Sequence, residues 1–547
     1  NNVNISTLNA TGYVGNLDIT GVTTKAAGSV TLGSGANTIT VALADLTRDA
    51  LSIDGGDGAD TLVFSDPGNA TYRPSLSGIE TLDIDAKATA GGATEVSLLD
   101  TTGVVTVELD LDTTDQNFTI SGASSVSAYK LEAAAAATAD IITLGSGTTL
   151  AVTNVNATLG DANTSLVFPN ATNLSIAAGR SESGVGVAAI DLTTLTTAEA
   201  TSITLGGTGV DVATGAEYIA AIDIATLVSA KLTNLTLDLD QGNITLGTVT
   251  AAKLASVTAT GDNALSFGAA GGSTAALASF DASAATGAIT IGQAIDFTAS
   301  ASVKTGTASD TVTLDVLTEG NVTLDMGEKT SDDDTLKIAG ANNMGLTVVD
   351  LSGADQLTQV NGATNSGVQV GIESVDLTLL SGSFGASITG SADGNKITGT
   401  GNADNIIAGE GADTVNATAG NDTISFAEST AKTDTYVSAA SATANGVDTI
   451  TGFGSGDVLN FDAFLGTIAA TADFALAGAG GITAVTDTIY GVTVAGTIAG
   501  KDYGGANFAE IFATGAAITT VSTAAAGKKH IVIVDGTDIT QIYFVDD

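Results

Sequence analysis

Short stretches of alternating apolar and polar residues recur along the chain. Those at 30–32, 38–41, 61–64, 104–109, 118–120, 235–239, 311–314 and 346–351 are rich in Val, Ile, Leu and Thr, and Gly, Asn, Ser and Asp separate them. Alternation at period two with β-branched residues and turn formers predicts short strands. Helix signals are few; the best lie at 133–137, 192–200 and 218–229, each flanked by strand-like runs. The pattern predicts an all-β chain with at most a few short helices. Apolar positions that follow a turn include Ile39, Leu62, Leu82, Val105, Ile142 and Leu166. They recur about every twenty-odd residues with one longer gap, within the repeat range of solenoids, though a sandwich array also spaces short strands regularly. SGIETLD at 77–83 is echoed by VGIESVD at 370–376, which points to one architectural unit used again.

One segment is more regular than the rest. From 390 to 425 the chain reads GSADGNKIT, GTGNADNII, AGEGADTVN and ATAGNDTIS, nonapeptides in unbroken register. Position six is Asn395, Asp404, Asp413 and Asp422; position eight is Ile397, Ile406, Val415 and Ile424. A six-residue turn with glycines such as Gly401, Gly409, Gly411 and Gly420 lets carbonyls point inward, and three residues make a short strand. The apolar side chain enters the core, while carboxylates and carbonyls of stacked turns surround a hard cation such as calcium. A complete copy, GGDGADTLV, stands alone at 55–63, with Gly55, Asp57 and Asp60 as candidate ligands. Half-copies place Asn37, Asp140, Asp310, Asp334 and Asp448 after similar turns. For these a solvated turn without metal is the simpler reading, and Asn395, lacking charge, reads as a cap with a weaker site.

Composition narrows the chemistry. The 547 residues carry a formal net charge of −44, with no cysteine or tryptophan and one histidine. Such an acidic excess repels phosphate backbones and argues against nucleic-acid partners, while suiting divalent cations. Zinc sites, disulfides and thiol chemistry are ruled out, and a Ser-His-Asp triad is possible only at His530. Absent cysteine is common in bacterial exported proteins. No apolar run approaches the ~18–20 residues of a membrane span. The chain begins with Asn1, which we read as the start of a processed chain or a fragment.

The nonapeptides resemble the RTX (haemolysin-type calcium-binding) repeats of bacterial proteins exported by type I secretion. DTITGFGSGDVLNFD at 448–462 is similar to the segment that follows RTX arrays, and HIVIVDGTDITQIYFVDD at 530–547 to the terminal hairpins near their secretion signal. The long Thr/Ala/Gly-rich stretch before the array resembles calcium-dependent bacterial surface-layer proteins of this group. The resemblance implies an elongated parallel β-solenoid or β-roll. It also implies an irregular assembly region at 1–385, a calcium β-roll at 386–430 and a C-terminal β region at 431–547. Several Ca2+ ions are expected as cofactors, with the bacterial cell surface as location. Calcium-poor cytosol keeps such a chain unfolded, and extracellular sites with dissociation constants of roughly 10⁻⁴–10⁻³ M fold it outside.

The function expected is structural: a self-assembling surface-layer subunit whose partners are copies of itself and cell-surface polysaccharide. A filament or sheath subunit, or a secreted adhesin, is the alternative. An RTX enzyme is disfavoured, because one histidine cannot supply H-E-x-x-H and no G-x-S-x-G occurs. Acidic pairs such as Asp110/Asp112 and Asp238/Asp240 fall at strand alternation, which makes them a solvated face before a glycosidase pair. The abundant threonine forms no strict T-x-T array and reads as β propensity.

Overall fold

A computed structural model describes residues 3–42, 51–65, 70–86, 92–111, 116–133, 141–155, 164–180, 187–206, 220–240, 242–268, 274, 276–293, 295–315, 321–327, 333–441, 445–454, 456–461, 463, 475–476, 489–493, 529–535 and 540–546. The chain is nearly all β, and its parallel strands stack as a β-solenoid of about 15 turns. It divides into two compact units: 1–334 with 367–371, and 335–366 with 372–547. No described helix is long and apolar enough to cross a membrane.

In the first unit each turn of chain lays one strand on each of two parallel ladders. One ladder takes Ser202–Leu205, Asn234–Asp238, Ser256–Gly261 and Leu277–Ala285; the other takes Ile222–Ser229, Ile244–Thr250, Leu265–Phe267 and Ile289–Ile291. Alternation sends every second side chain inward, where like stacks on like. Leu235 lies beside Val257, Val257 beside Phe280 and Phe280 beside Val303, all fully buried. The strands expected at 38–41, 61–64, 118–120, 235–239 and 311–314 coincide with Thr38–Ala42, Thr61–Ser65, Gln116–Ser121, Asn234–Asp238 and Thr311–Asp315.

Of the expected apolar series, Ile39, Leu62 and Leu82 stack in register, and so do Ile142 and Leu166. The two groups lie on different ladders, which accounts for the longer gap. Val105 belongs to neither, being 43% exposed; Leu82 pairs with Val107 instead. Two expected helices are strands. Ile190–Thr197 and Ile222–Ser229 run through the stretches at 192–200 and 218–229, while 134–137 lies outside the described residues. The echoed heptapeptides build one kind of corner. Gly78 and Gly371 sit at φ of 57° and 78°, each pressed against a carbonyl of an earlier turn, and a fully buried isoleucine follows.

In the second unit, Thr347–Asp350 pairs in parallel with Ala386–Thr389 and antiparallel with Leu357–Val360, so this ladder opens on a hairpin. Buried Gln356 anchors the hairpin, donating to the carbonyls of Leu351 and Ile372 and accepting from the Ile372 amide. The nonapeptides then alternate between ladders: Ile388, Ile406, Ile424 and Ile450 stack on one, Ile397, Val415, Tyr436 and Leu459 on the other. Two nonapeptides thus make one 18-residue coil. Toward the C-terminus, Ala475–Leu476, Ile489–Thr493, Lys529–Asp535 (with His530) and Thr540–Asp546 form a four-stranded sheet that ends in an antiparallel hairpin.

Candidate cation columns

Stacking the turns in register aligns their position-six residues into columns. Each side chain accepts a hydrogen bond from the main-chain amide at the equivalent position one coil earlier. Asp413 Oδ1 accepts from Asn395 N at 2.7 Å, Asp434 Oδ1 from Asp413 N at 2.9 Å and Asp457 Oδ1 from Asp434 N at 3.0 Å. On the other ladder Asp404 Oδ1 accepts from Ala386 N at 2.6 Å, Asp422 Oδ1 from Asp404 N at 2.8 Å and Asp448 Oδ1 from Asp422 N at 3.1 Å. The first unit repeats the device twice. Leu17 N, Asn37 N and Asp60 N donate to Asn37, Asp60 and Glu80, and Ile289 N and Asp310 N donate to Asp310 and Asp334. Asn37, Asp310, Asp334 and Asp448, seen only as half-copies in sequence, therefore stand in columns. Asp140 lies outside the described residues. Asp57 is exposed at the turn tip and does not join Asp60 inside.

A donor from within the same turn sorts these turns into closed and open. In closed turns the residue four positions earlier donates its amide to the column side chain. Ser391 N donates to Asn395 Oδ1 at 2.6 Å, Thr400 N to Asp404 Oδ2 at 2.7 Å and Gly306 N to Asp310 Oδ2 at 3.0 Å. In open turns that residue has left-handed backbone: Gly56 at φ 90°, Gly409 at 107° and Thr418 at 72°. Asp60 Oδ2, Asp413 Oδ2 and Asp422 Oδ2 are then buried with no donor among the described residues, on side chains at most 1% exposed. Gly411 and Gly420 are also left-handed, whereas a side chain on Gly401 would meet open space. Gly55 is packed so tightly that a Cβ would lie 1.9 Å from the Gly78 carbonyl oxygen and 2.7 Å from Asp60 Oδ2. Asp448 is a different case: its Oδ2 takes Tyr436 Oη at 2.5 Å and Asn445 Nδ2 at 3.1 Å.

Burial in a low-dielectric wall disfavours the charged carboxylate. It pushes Asp404 up to about 6, against the opposing pull of the hydrogen bonds from Ala386 and Thr400, which favour the charged form. Asp413 is pushed up to about 7, with Asp434 and Glu428 adding repulsion, and Asp422 to about 8, with Asp448 and Asp404 adding theirs. Asp60 moves in the same direction by burial, opposed by Asn37 and reinforced by Glu80 and Asp54. Among the described residues no three His, Cys, Asp or Glu side chains form a ready-made metal cage. Oxygen donors in pairs, beside turns rich in carbonyls, suit a hard and adaptable cation rather than a transition metal.

Fold and columns together define a parallel β-solenoid with acidic ladders in its wall. Compared with known proteins, the chain matches no family model, and no curated protein aligns with it significantly.

Proposed function

We propose that the protein is a calcium-folded extracellular structural protein that assembles with copies of itself into a surface layer. The observation that carries the calcium reading is the set of buried, donor-less carboxylate oxygens at Asp60, Asp413 and Asp422. A buried anion with one oxygen left without a donor is costly, and a divalent cation offsets that cost where carbonyl oxygens complete its shell. The candidate ligands are the column carboxylates and the carbonyls of turns that include Gly55, Gly409, Gly411 and Gly420. The closed turns at Asp404 and Asp310 already satisfy their own carboxylates and have less need of an ion. Assembly is supported by the parallel-ladder plan, which a strand of a neighbouring copy can extend. The resemblance of the nonapeptides to calcium repeats of exported proteins supports the same reading and an outer-surface location.

The test is electron microscopy and circular dichroism of the purified chain with calcium and with EGTA. Sheets that form only with calcium are expected, with loss of β signal on chelation. Monodisperse protein in both conditions refutes assembly, and an unchanged melting temperature in EGTA refutes calcium-coupled folding.

A further inference from the structure

The nonapeptide register ends at Ser425, yet the Asn395–Asp413 column continues to Asp434. The step from 413 to 434 is 21 residues, against 18 from 395 to 413, so three extra residues are accommodated before Asp434. Glu410 straps this segment down: its Oε1 accepts from Ser429 N at 2.8 Å and its Oε2 from Thr430 N at 3.4 Å. Beside the strap, Glu428 Oε1 accepts from Lys432 N at 3.0 Å, and Glu428 Oε2 is buried with no donor among the described residues. Asp434 is fully buried, and its Oδ2 likewise has no donor among the described residues. Asp434 and Asp413 are adjacent in the column, Asp434 Oδ1 accepting from Asp413 N, and burial, with the charge of Glu428 added, raises both carboxyls. Among the described residues no Lys or Arg pairs with any of the three, the nearby Lys432 included.

Among the described residues, these three buried carboxylate oxygens have neither a donor nor a positive partner. We infer that Glu428, Asp434 and Asp413 hold a divalent cation of the calcium type at a site outside the nonapeptide register, where the inserted segment supplies a third carboxylate. The side chains do not close a cage, so carbonyls and water supply the rest of the six to eight oxygens such an ion takes. Glu410 is a positioning residue that brings Glu428 to the column. This inference rests on the calcium reading above and adds a site that the repeat motif does not encode.

The rival occupant is a proton shared between Glu428 and Asp434, and calcium counting on the full chain separates the two. Equilibrium dialysis and native mass spectrometry at pH 7.5 would compare the natural chain with Glu428→Gln and, as a second variant, Asp434→Asn. Each variant is expected to bind one ion fewer, or to weaken one site at least tenfold, with the remaining sites unchanged. In EGTA, Glu428→Gln is expected to melt no lower than the natural chain, since it removes repulsion. An unchanged ion count and affinity in Glu428→Gln overturns the site and assigns the proton instead. If the natural chain binds no calcium at all, the functional reading falls with it.

Discussion

Between 234 and 255, one coil of the first unit buries Leu235, Leu237, Leu239, Ile244, Leu246, Val249 and Leu254, seven large side chains in 22 residues. Across 390–425 the four nonapeptides bury Ile397, Ile406, Val415 and Ile424, four in 36 residues. At about 1.5–3 kcal/mol for each such side chain, apolar burial per residue is roughly three times greater in the wide coil. The backbone entropy to be overcome is nearly the same per residue in both. The narrow coil also carries carboxylates in its wall, where burial raises their energy instead of lowering it. Coils of one two-ladder plan thus divide into a kind with a dense apolar core and a kind with a thinner core and buried carboxylates, the latter being the kind we propose to need an ion.

Chelation is the strongest test of that division. At ten times its dissociation constant each bound ion adds about 1.4 kcal/mol, so losing several removes much of the stability of the second unit. Hydrogen exchange in EGTA is expected to expose the amides of 386–460 while those of 202–325 stay protected. Equal loss of protection in both regions would break the comparison. Next in size, Leu237→Ala is expected to cost about 2–5 kcal/mol, and to cost the same with and without calcium in chemical denaturation.

Acidity supplies a third test, with an unusual sign. Asp404, Asp413 and Asp422 have folded-state values raised above the ordinary carboxylate range. Their contribution to stability is fully present below the unfolded value near 4 and is lost as pH rises through about 6 to 8. In EGTA, lowering the pH from 8 to 5 is therefore expected to raise the melting temperature of the second unit. With calcium bound that trend is expected to flatten, and Asp422→Asn is expected to shrink it. The smallest effect is local: Thr418→Gly removes a β-branched residue from φ 72° and is expected to gain up to about 1 kcal/mol, less what its hydroxyl bond to the Thr400 carbonyl contributes. Its calcium affinity is expected to hold, because the turn stays open.

Strands and columns were legible because they depend on composition at fixed spacing. Ile39, Leu62 and Leu82, or Asp404 and Asp422, occupy the same wall because each coil length brings them there. The false helices at 192–200 and 218–229 have a physical origin. In Ile190–Thr197 the buried positions run 190, 192, 195 and 197, and in Ile222–Ser229 they run 222, 224, 227 and 229. A bend lets two outward residues follow one another, turning one i, i+2 step into i, i+3, which imitates a helical face. The difference between open and closed turns was not legible. Thr400 and Thr418 occupy the same place in their nonapeptides, yet only Thr418 has left-handed backbone, and that choice of φ depends on packing against the coil before it. Glu428 was missed because it lies where the repeat is broken, and motif reading follows register.

Each column also has a sense. Asp457 receives the amide of Asp434, Asp434 that of Asp413, and Asp413 that of Asn395, never the reverse. A coil therefore offers an empty acceptor toward the chain that precedes it and leaves its own amide to be satisfied by the chain that follows. The two faces of each coil are therefore not interchangeable: one presents column carboxylates and the other column amides, so the wall is polar along its stacking direction.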